Sequence, residues 1–404
     1  MSRVSNSALT NRNYLIYLIG STISLHGLWV YRVALGWYAW QLSQSELWVG
    51  IVAATQFAPA VFFGPIFGVL ADRLDRRRAA IFINSLSVLN MLALGFLTAL
   101  GQMDITLLAG LSLMQGFLDS AHTPVRMSIV PNLVMRIQLQ NAIAISSVSF
   151  NMSRFVGPAL AGIIISGFGV ATAFVINGIS YLALILAMVI IRLNPSPTAG
   201  RPRKHPWVEL LEGARYIVNH QAIRSLLVVS ALASVFGRGA LEMLPVFSDS
   251  VFKGGASALA ILTSAVGAGA VASGLALSRG SGWLNLRIIQ ISLMLVGCLV
   301  VALGAFSSFI VAIVIVTLLG VTLSLCGIGA QILIQTLVED EVRGRVSSFW
   351  GIIAFGGTSL GSLLVGAAAH FGGLQNAVIA VGVTCTAMTV FTSVRQTRRE
   401  DGVF

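Results

Sequence analysis

The stretch Gly68-Val-Leu-Ala-Asp72-Arg73-Leu-Asp75-Arg76-Arg77-Arg78 sets six charged side chains in the seven positions 72–78, between apolar runs at about 47–71 and 79–101. Each run is long enough to cross a bilayer, because roughly 20 helical residues cover the hydrocarbon core. Two such runs joined by a short charged turn read as a membrane hairpin. The alternation continues in both directions, with further apolar runs at about 14–40, 104–126, 139–166, 170–192, 222–247, 257–279, 284–306, 308–334, 346–369 and 373–394, twelve in all. In lipid only helices and closed barrels satisfy every backbone group. Barrel strands are about half this length and alternate in polarity. The runs therefore predict an all-α membrane protein with twelve transmembrane helices.

Composition points the same way. Only 10% of the 404 residues are charged, and mean hydropathy is +0.89; a soluble domain carries about 25% charge. Twelve spans of roughly 20 residues leave no room for a soluble catalytic domain, so an enzyme is not expected. The net charge of +11 would suggest nucleic acid in a soluble chain. With this apolar content the expected partner is the anionic face of a bilayer, and no nucleic acid is expected. Cys298, Cys326 and Cys385 sit inside apolar runs without CxxC spacing and read as small core residues. The first apolar run is long and lacks a small-residue cleavage site, so no cleaved signal peptide is expected.

Arginine and lysine give the sidedness. With the N-terminus cytoplasmic, inner segments hold 20 of the 25 basic residues, outer loops hold only Lys253, and Arg32, Arg126, Arg154 and Arg238 fall within spans or at their ends. The positive-inside rule then places both termini in the cytoplasm. Residues 194–221 are Pro-rich and basic, then amphipathic. They read as a cytoplasmic linker and a short interfacial helix, with Trp207, Leu210, Leu211 and Tyr216 toward the membrane. This segment separates an N-terminal six-helix half, 1–193, from a C-terminal one, 222–404.

The halves look duplicated. Asn132-Leu-Val-Met-Arg-Ile leading to Gly157 and Gly162 matches Thr336-Leu-Val-Glu-Asp-Glu leading to Gly361 and Gly366 at an offset of 204; Gly68 through Arg73 matches Gly274 through Arg279 at 206. Paired six-helix halves are a transporter architecture with the substrate site at their interface.

The Gly68–Arg78 loop resembles the signature of the major facilitator superfamily, G-x-L-a-D-r-x-G-r-k, with Asp75 in place of the second Gly. The resemblance implies that Gly68 permits close helix approach and that Asp72, with Arg73 and Arg76, latches the cytoplasmic gate. The partner it implies is the start of the eleventh span, where Arg343 and Arg345 lie. A carboxylate at a helix N-terminus gains from the helix dipole, so the implied contact is physically sound. The competing reading is an ordinary basic loop that only sets topology. Further motifs resemble the branch that includes the enterobactin exporter and drug-efflux carriers: Thr123-Pro-Val-Arg126 through Pro131, Phe155-Val-Gly157-Pro158-Ala-Leu-Ala161-Gly162, Glu212-Gly-Ala-Arg-Tyr216, Leu244-Pro-Val-Phe247, and Gln335 through Arg343-Gly-Arg345-Val. Gly157-Pro158-Ala-Leu-Ala161-Gly162 also resembles the antiporter motif G-P-x-x-G-G, which implies a hinge and packing site of exporters. Small-residue packing common to any helix bundle is the competing reading. Of the fourth-span antiporter motif only Gln115-Gly116 is present, and Ser112 stands where its Arg would be.

Charges inside spans are costly and mark function or fixed pairs. Asp119, His122 and Arg126 share one face of the fourth span; Arg154 lies in the fifth, His26 and Arg32 in the first, and Arg238 and Glu242 at i, i+4 in the seventh, with Asp249 beyond. Asp119 is the proton-site candidate, with Arg126 and Arg154 expected in the same cavity. The competing reading is a permanent ion pair. No phosphate-binding loop, metal-ligand cluster or nucleophile triad appears, so no metal, cofactor or ATP is expected. The chain reads as a monomeric secondary transporter in a bacterial-type inner (plasma) membrane. Its expected activity is proton-coupled export, of antiporter type, of a small amphipathic molecule, siderophore-like or drug-like. The alternatives are proton-coupled uptake of a metabolite or lipid-related solute, and a non-transporting membrane scaffold.

Overall fold

The computed structural model describes residues 7–193, 206–279, 282–339 and 342–401; side chains at 65, 72, 73, 206–210, 343 and 394–401 lie outside that description. The described residues form helices joined by short turns, with no strand among them. In chain order these are α1 (Arg12–Ser43), α2 (Glu46–Arg73), α3 (Arg76–Ala99), α4 (Ile105–Ile129), α5 and α6 (139–168 and 170–190), α7 (Pro206–Asn219), α8 (Gln221–Val251), α9 (Gly255–Ser278), α10 (Leu286–Ala305), α11 (Phe309–Leu337), α12 (Arg343–Gly372) and α13 (Leu374–Asp401). Ten elements among the described residues are long and apolar enough to cross a membrane. One of them holds both α5 and α6, which part only at Gly169 (φ 83°, ψ 169°). The positive φ, open to glycine, reverses the chain with no loop residue to spare. The more polar α4 completes twelve crossings.

Local chemistry explains the turns. Asp75 caps α3 by accepting from the Arg78 amide at 2.7 Å, so the departure from the family's Gly provides a helix start. Asp104 caps α4, accepting from the Leu107 amide at 2.8 Å and the Thr106 hydroxyl at 2.6 Å. These bonds, the Thr106 one foremost, hold its carboxyl below the usual range. Asn11 and Asn285 cap α1 and α10 in the same way. Arg77 donates through Nε to the Met188 carbonyl at 2.6 Å, and through its second guanidinium nitrogen to Val189. It thereby satisfies orphan carbonyls at the end of α6. Part of the basic loop is thus tied to its own half.

The solvent of this fold is lipid. Gln115 and Asn177 are fully buried, whereas Phe62 and Ile310 are 72% and 76% exposed, the reverse of a soluble protein. The repeat is visible in the packing. A Cβ on Gly157 would collide with Trp29 Cβ, and a Cβ on Gly361 would collide with the Val235 carbonyl. Val235 follows Trp29 by 206 positions and Gly361 follows Gly157 by 204, so α1 on α5 and α8 on α12 pack at equivalent points.

The halves meet unevenly. We call the end carrying the Arg76–Arg78 turn the basic end. At the opposite, far end, Gly162 abuts Ala260, Gly366 abuts Gly50, and Ser166 and Ser257 share a hydrogen bond of 3.0 Å. Midway, Ser359 donates to the Ala54 carbonyl at 3.1 Å and Phe57 stacks on Phe355 at 6.4 Å. Toward the basic end the contacts stop: nothing lies within 4 Å of where a Cβ would sit on Gly64, Gly68, Gly274, Gly344 or Gly351. The bundle is closed at the far end and open at the basic end. The expected close approach at Gly68 is absent in this state, because α2 and α12 diverge there.

Candidate functional site

The space between the halves is built around Trp29 on α1. The Arg32 guanidinium lies 4.9 Å from the Trp29 ring centre and 5.5 Å from that of Phe57, and Arg154 from α5 lies 5.7 Å from the same indole. Phe150 meets Trp29 edge-on at 6.4 Å and carries Arg126 from α4 at 5.7 Å. Arginine one turn from a tryptophan on the same helix can lie over its face, and the ring quadrupole offsets part of the cost of holding a cation in an apolar place. Arg32, Arg126, Arg154 and Arg238 are all half-buried. None of their guanidinium groups donates a hydrogen bond to a described residue.

Asp119 belongs to a polar network on the inner faces of α3, α4 and α6. Gln115 Nε2 donates to Asp119 Oδ1 at 3.0 Å and lies 3.1 Å from the Tyr181 hydroxyl, while Asn90 donates to Gln115 Oε1 at 3.2 Å. The cations acting on Asp119 are Arg32 and Arg126. Arg154, expected in the same cavity, lies with Arg32 at the Trp29 ring. Among the described residues Asp119 forms no ion pair, so the fixed-pair reading does not describe this state.

From the second half come Arg238 and Glu242 on α8. The helix is irregular here: a π-helical turn spans Ala233–Arg238, and the chain turns at Glu242 and Met243 before Pro245. Arg238 and Glu242, four positions apart, form no direct ion pair among the described residues. Arg238 instead reaches Gly327, in a second π-helical turn at Leu325–Gly329 on α11, where a Cβ would sit 3.0 Å from Nη2. Such turns widen a helix locally and recur at functional sites. Arg32 lies within electrostatic reach of Arg154, Arg238 and Glu242 as well as Asp119. Side chains from both halves thus converge on one space.

Other sequence candidates sit apart from it. His26 is held by the Thr22 carbonyl at 2.8 Å and the Ser153 hydroxyl at 3.1 Å, in the α1–α5 contact. Pro158 is buried, and α5 runs through it with helical dihedrals; the break falls at Gly169 instead. Gly157 packs tightly against Trp29. Arg76 opens α3. The side chains of Asp72, Arg73 and Arg343 lie outside the described residues. Arg345 pairs with Glu212 on α7 at 2.6 Å, so the amphipathic helix is fastened to α12. Leu211 is exposed, whereas Tyr216 packs inward and stacks on His220. Trp207 and Leu210 lie outside the described side chains.

Trp29, Asn90 and Tyr181 escaped the sequence reading. Their signal was a polar or amphipathic group inside an apolar run, which many helix contacts share. A separate pocket of about 560 Å³ lies at the far end, lined by Trp37, Tyr38 and Gln41 on α1, Thr98 on α3, and Ser166 and Ser257. Among the described residues no three His, Cys, Asp or Glu side chains gather as metal ligands.

A twelve-helix bundle in two repeated halves, with charged side chains converging between them, defines a membrane transporter of the major facilitator type. The chain belongs to the family described as transmembrane secretion effector, which matches residues 5–401. It is similar to the staphyloferrin A transporter of Staphylococcus aureus (24% identical, 93% of this chain and 94% of the relative). It is also similar to the enterobactin exporter EntS of Shigella boydii (24% identical, 81% of this chain and 78% of the relative). In fold it resembles the nucleoside transporter NupG (TM-score 0.73, 13% identical, covering 94% and 98% of the chains). A bacterial homologue of the human lysosomal transporter Spinster, solved inward-facing and unoccupied, is similar as well (TM-score 0.68, 18% identical, covering 94% and 95%).

Proposed function

We propose that this protein is a proton-coupled exporter of a small, siderophore-like amphipathic compound in a bacterial inner membrane, working as a monomer with both termini in the cytoplasm. Residues 1–193 and 222–404 rock about the cavity, and 194–221 joins them. The observation that carries the reading is the cavity itself: Arg32, Arg154 and Arg238 with Asp119 and Glu242, between halves closed at the far end and open at the basic end. Taking the basic end as cytoplasmic, this is a carrier waiting for cargo from inside. The family description and the exporter among its relatives favour outward movement. Asp119 supplies a carboxylate that can gain and lose a proton as access alternates. Asp72, Arg73 and Arg76 latch the cytoplasmic end against the start of α12, near Arg343 and Arg345, when the carrier turns outward.

The test has two arms. A deletion strain grown under iron limitation and against a panel of toxic compounds should lose secretion of an iron-chelating compound, and complementation should restore it. Purified protein in liposomes should then move that compound against its gradient when a proton gradient is imposed. Uptake is the second reading, since the staphyloferrin A transporter's name states no direction; it predicts the opposite sign of proton-coupled flux. Absence of any flux would leave only a scaffold.

A further inference from the structure

Arg32 and Arg238 are separated by 206 positions, the same offset that relates Gly68 to Gly274 and Trp29 to Val235. The repeat therefore sets one guanidinium in equivalent places on α1 and α8, one from each half, and these two helices touch one turn beyond Arg32, where a Cβ on Gly36 would sit 3.0 Å from the Pro245 ring. Arg154 adds a third, beside Arg32 at the same Trp29 ring. Each guanidinium offers five donors and no acceptor, and among the described residues none of the three donates a hydrogen bond. Trp29 Nε1 is buried without a partner beside them. Acceptors are few: Asp119 is engaged by Gln115, and Glu242 pairs directly with no arginine among the described residues.

From this surplus of donors we infer that the cavity's ligand is a polyvalent anion whose acidic oxygens bridge Arg32 and Arg154 on one half to Arg238 on the other. The inference rests on reading the cavity as the substrate site, and it names the chemistry of what enters. Two cations already occupy the neighbourhood of the Trp29 ring, at 4.9 and 5.7 Å, so the indole is not free to stack on a planar cationic drug. A neutral or cationic ligand would leave the three like charges facing one another without a bridging anion. Carboxylate oxygens match guanidinium forks in pairs, and one group per half requires at least two. Gly327 leaves the Arg238 guanidinium room against α11, and any side chain there would crowd it.

The test uses the full chain in lipid nanodiscs and two trianionic probes, citrate and benzene-1,3,5-tricarboxylate, with their neutral trimethyl esters as controls of the same skeleton. Calorimetry should detect binding of the acids and not of the esters, weakening as salt rises. Arg32→Gln and Arg238→Gln should each weaken binding at least tenfold, with Arg→Lys variants in between. Unchanged melting temperature and elution volume verify folding, and the acid–ester comparison on wild type needs no variant. Esters binding as well as acids, no binding of either acid, or Gln variants indistinguishable from wild type would each overturn the inference. Tricarboxylate binding that depends on these arginines, without iron-dependent secretion, would sink the siderophore reading alone. Secretion that persists with no arginine-dependent tricarboxylate binding would sink the anion bridge alone.

Discussion

Trp40 on α1 donates its indole N–H to Asp249 Oδ2 on α8 at 2.8 Å, joining the two halves at the far end of the bundle. Trp40 is almost wholly buried, so its N–H would otherwise lack a partner. A hydrogen bond to a charged acceptor contributes about 1.5–3 kcal/mol, enough to shift a two-state population about tenfold or more. Trp40→Phe keeps the ring and removes the donor, and should move the protein toward a state open at the far end. Asp249→Asn keeps an acceptor and should do less; the double variant should be no worse than Trp40→Phe alone. Spin-label distances between Gln102 and Ser307, in a cysteine-free background, report the change. Unaltered distances in Trp40→Phe would make the bond incidental.

Two glycines separate packing from gating. Gly157→Ala would drive a Cβ into Trp29, and Gly68→Ala meets nothing within 4 Å. The first should destabilise the bundle by about 1–3 kcal/mol, the usual cost of overpacking, and lower the melting temperature. The second should leave melting unchanged yet slow transport, because α2 needs the gap when the basic end closes. Equal melting for the two variants would contradict the packing; wild-type transport in Gly68→Ala would remove it from the gate.

How much of this could be read beforehand follows from what the membrane enforces. The twelve spans were legible because a bilayer leaves the backbone no alternative to helix, and the charged 72–78 turn punctuates them. The repeat was legible from Gly157, Gly162, Gly361 and Gly366, which mark close approaches in both halves. The irregular turns at Ala233–Arg238 and Leu325–Gly329 were not, since their residues have no composition of their own and tertiary packing of Arg238 on Gly327 accompanies them. Arg77 read as one more basic loop residue, yet it caps α6, a role only the neighbouring carbonyls define. Asp119 was visible as a lone acid in a span. That Arg32 shares its cavity depends on which helices face each other, which spacing along one helix does not encode.

Sidedness has a direct check. With 20 basic residues assigned to one set of segments against a single one in the other, the positive-inside rule predicts that set to be cytoplasmic. With Cys298, Cys326 and Cys385 replaced, a cysteine at Gln102 should react with an impermeant maleimide in intact cells. A cysteine at Gly200 should react only after the membrane is breached. The reverse pattern would invert the orientation and with it the direction in which the cavity opens.

The proposed energy coupling turns on Asp119. Its Oδ1 accepts from Gln115, and it shares the fields of Arg32 and Arg126. A ligand that takes Arg32, or a rocking of the halves that separates the charges, changes which charges face Asp119, and nearby charge is one of the things that decide whether a carboxyl holds a proton. In the proposed mechanism proton entry is linked in this way to ligand binding on one side and release on the other. Asp119→Asn imitates the protonated acid and keeps an oxygen for Gln115, so the fold should persist and ligand binding should survive in part. Proton-gradient-driven transport should fall by at least tenfold, while exchange without a gradient continues. Asp119→Ala is a poorer test, since it leaves both the Gln115 amide and the arginines without an acid. The measurement is parallel proton and substrate flux in liposomes for wild type and Asp119→Asn. Gradient-driven flux at the wild-type rate would remove Asp119 from the coupling, and Glu242, which shares Arg32's field from the other half, would be the next carboxylate to test.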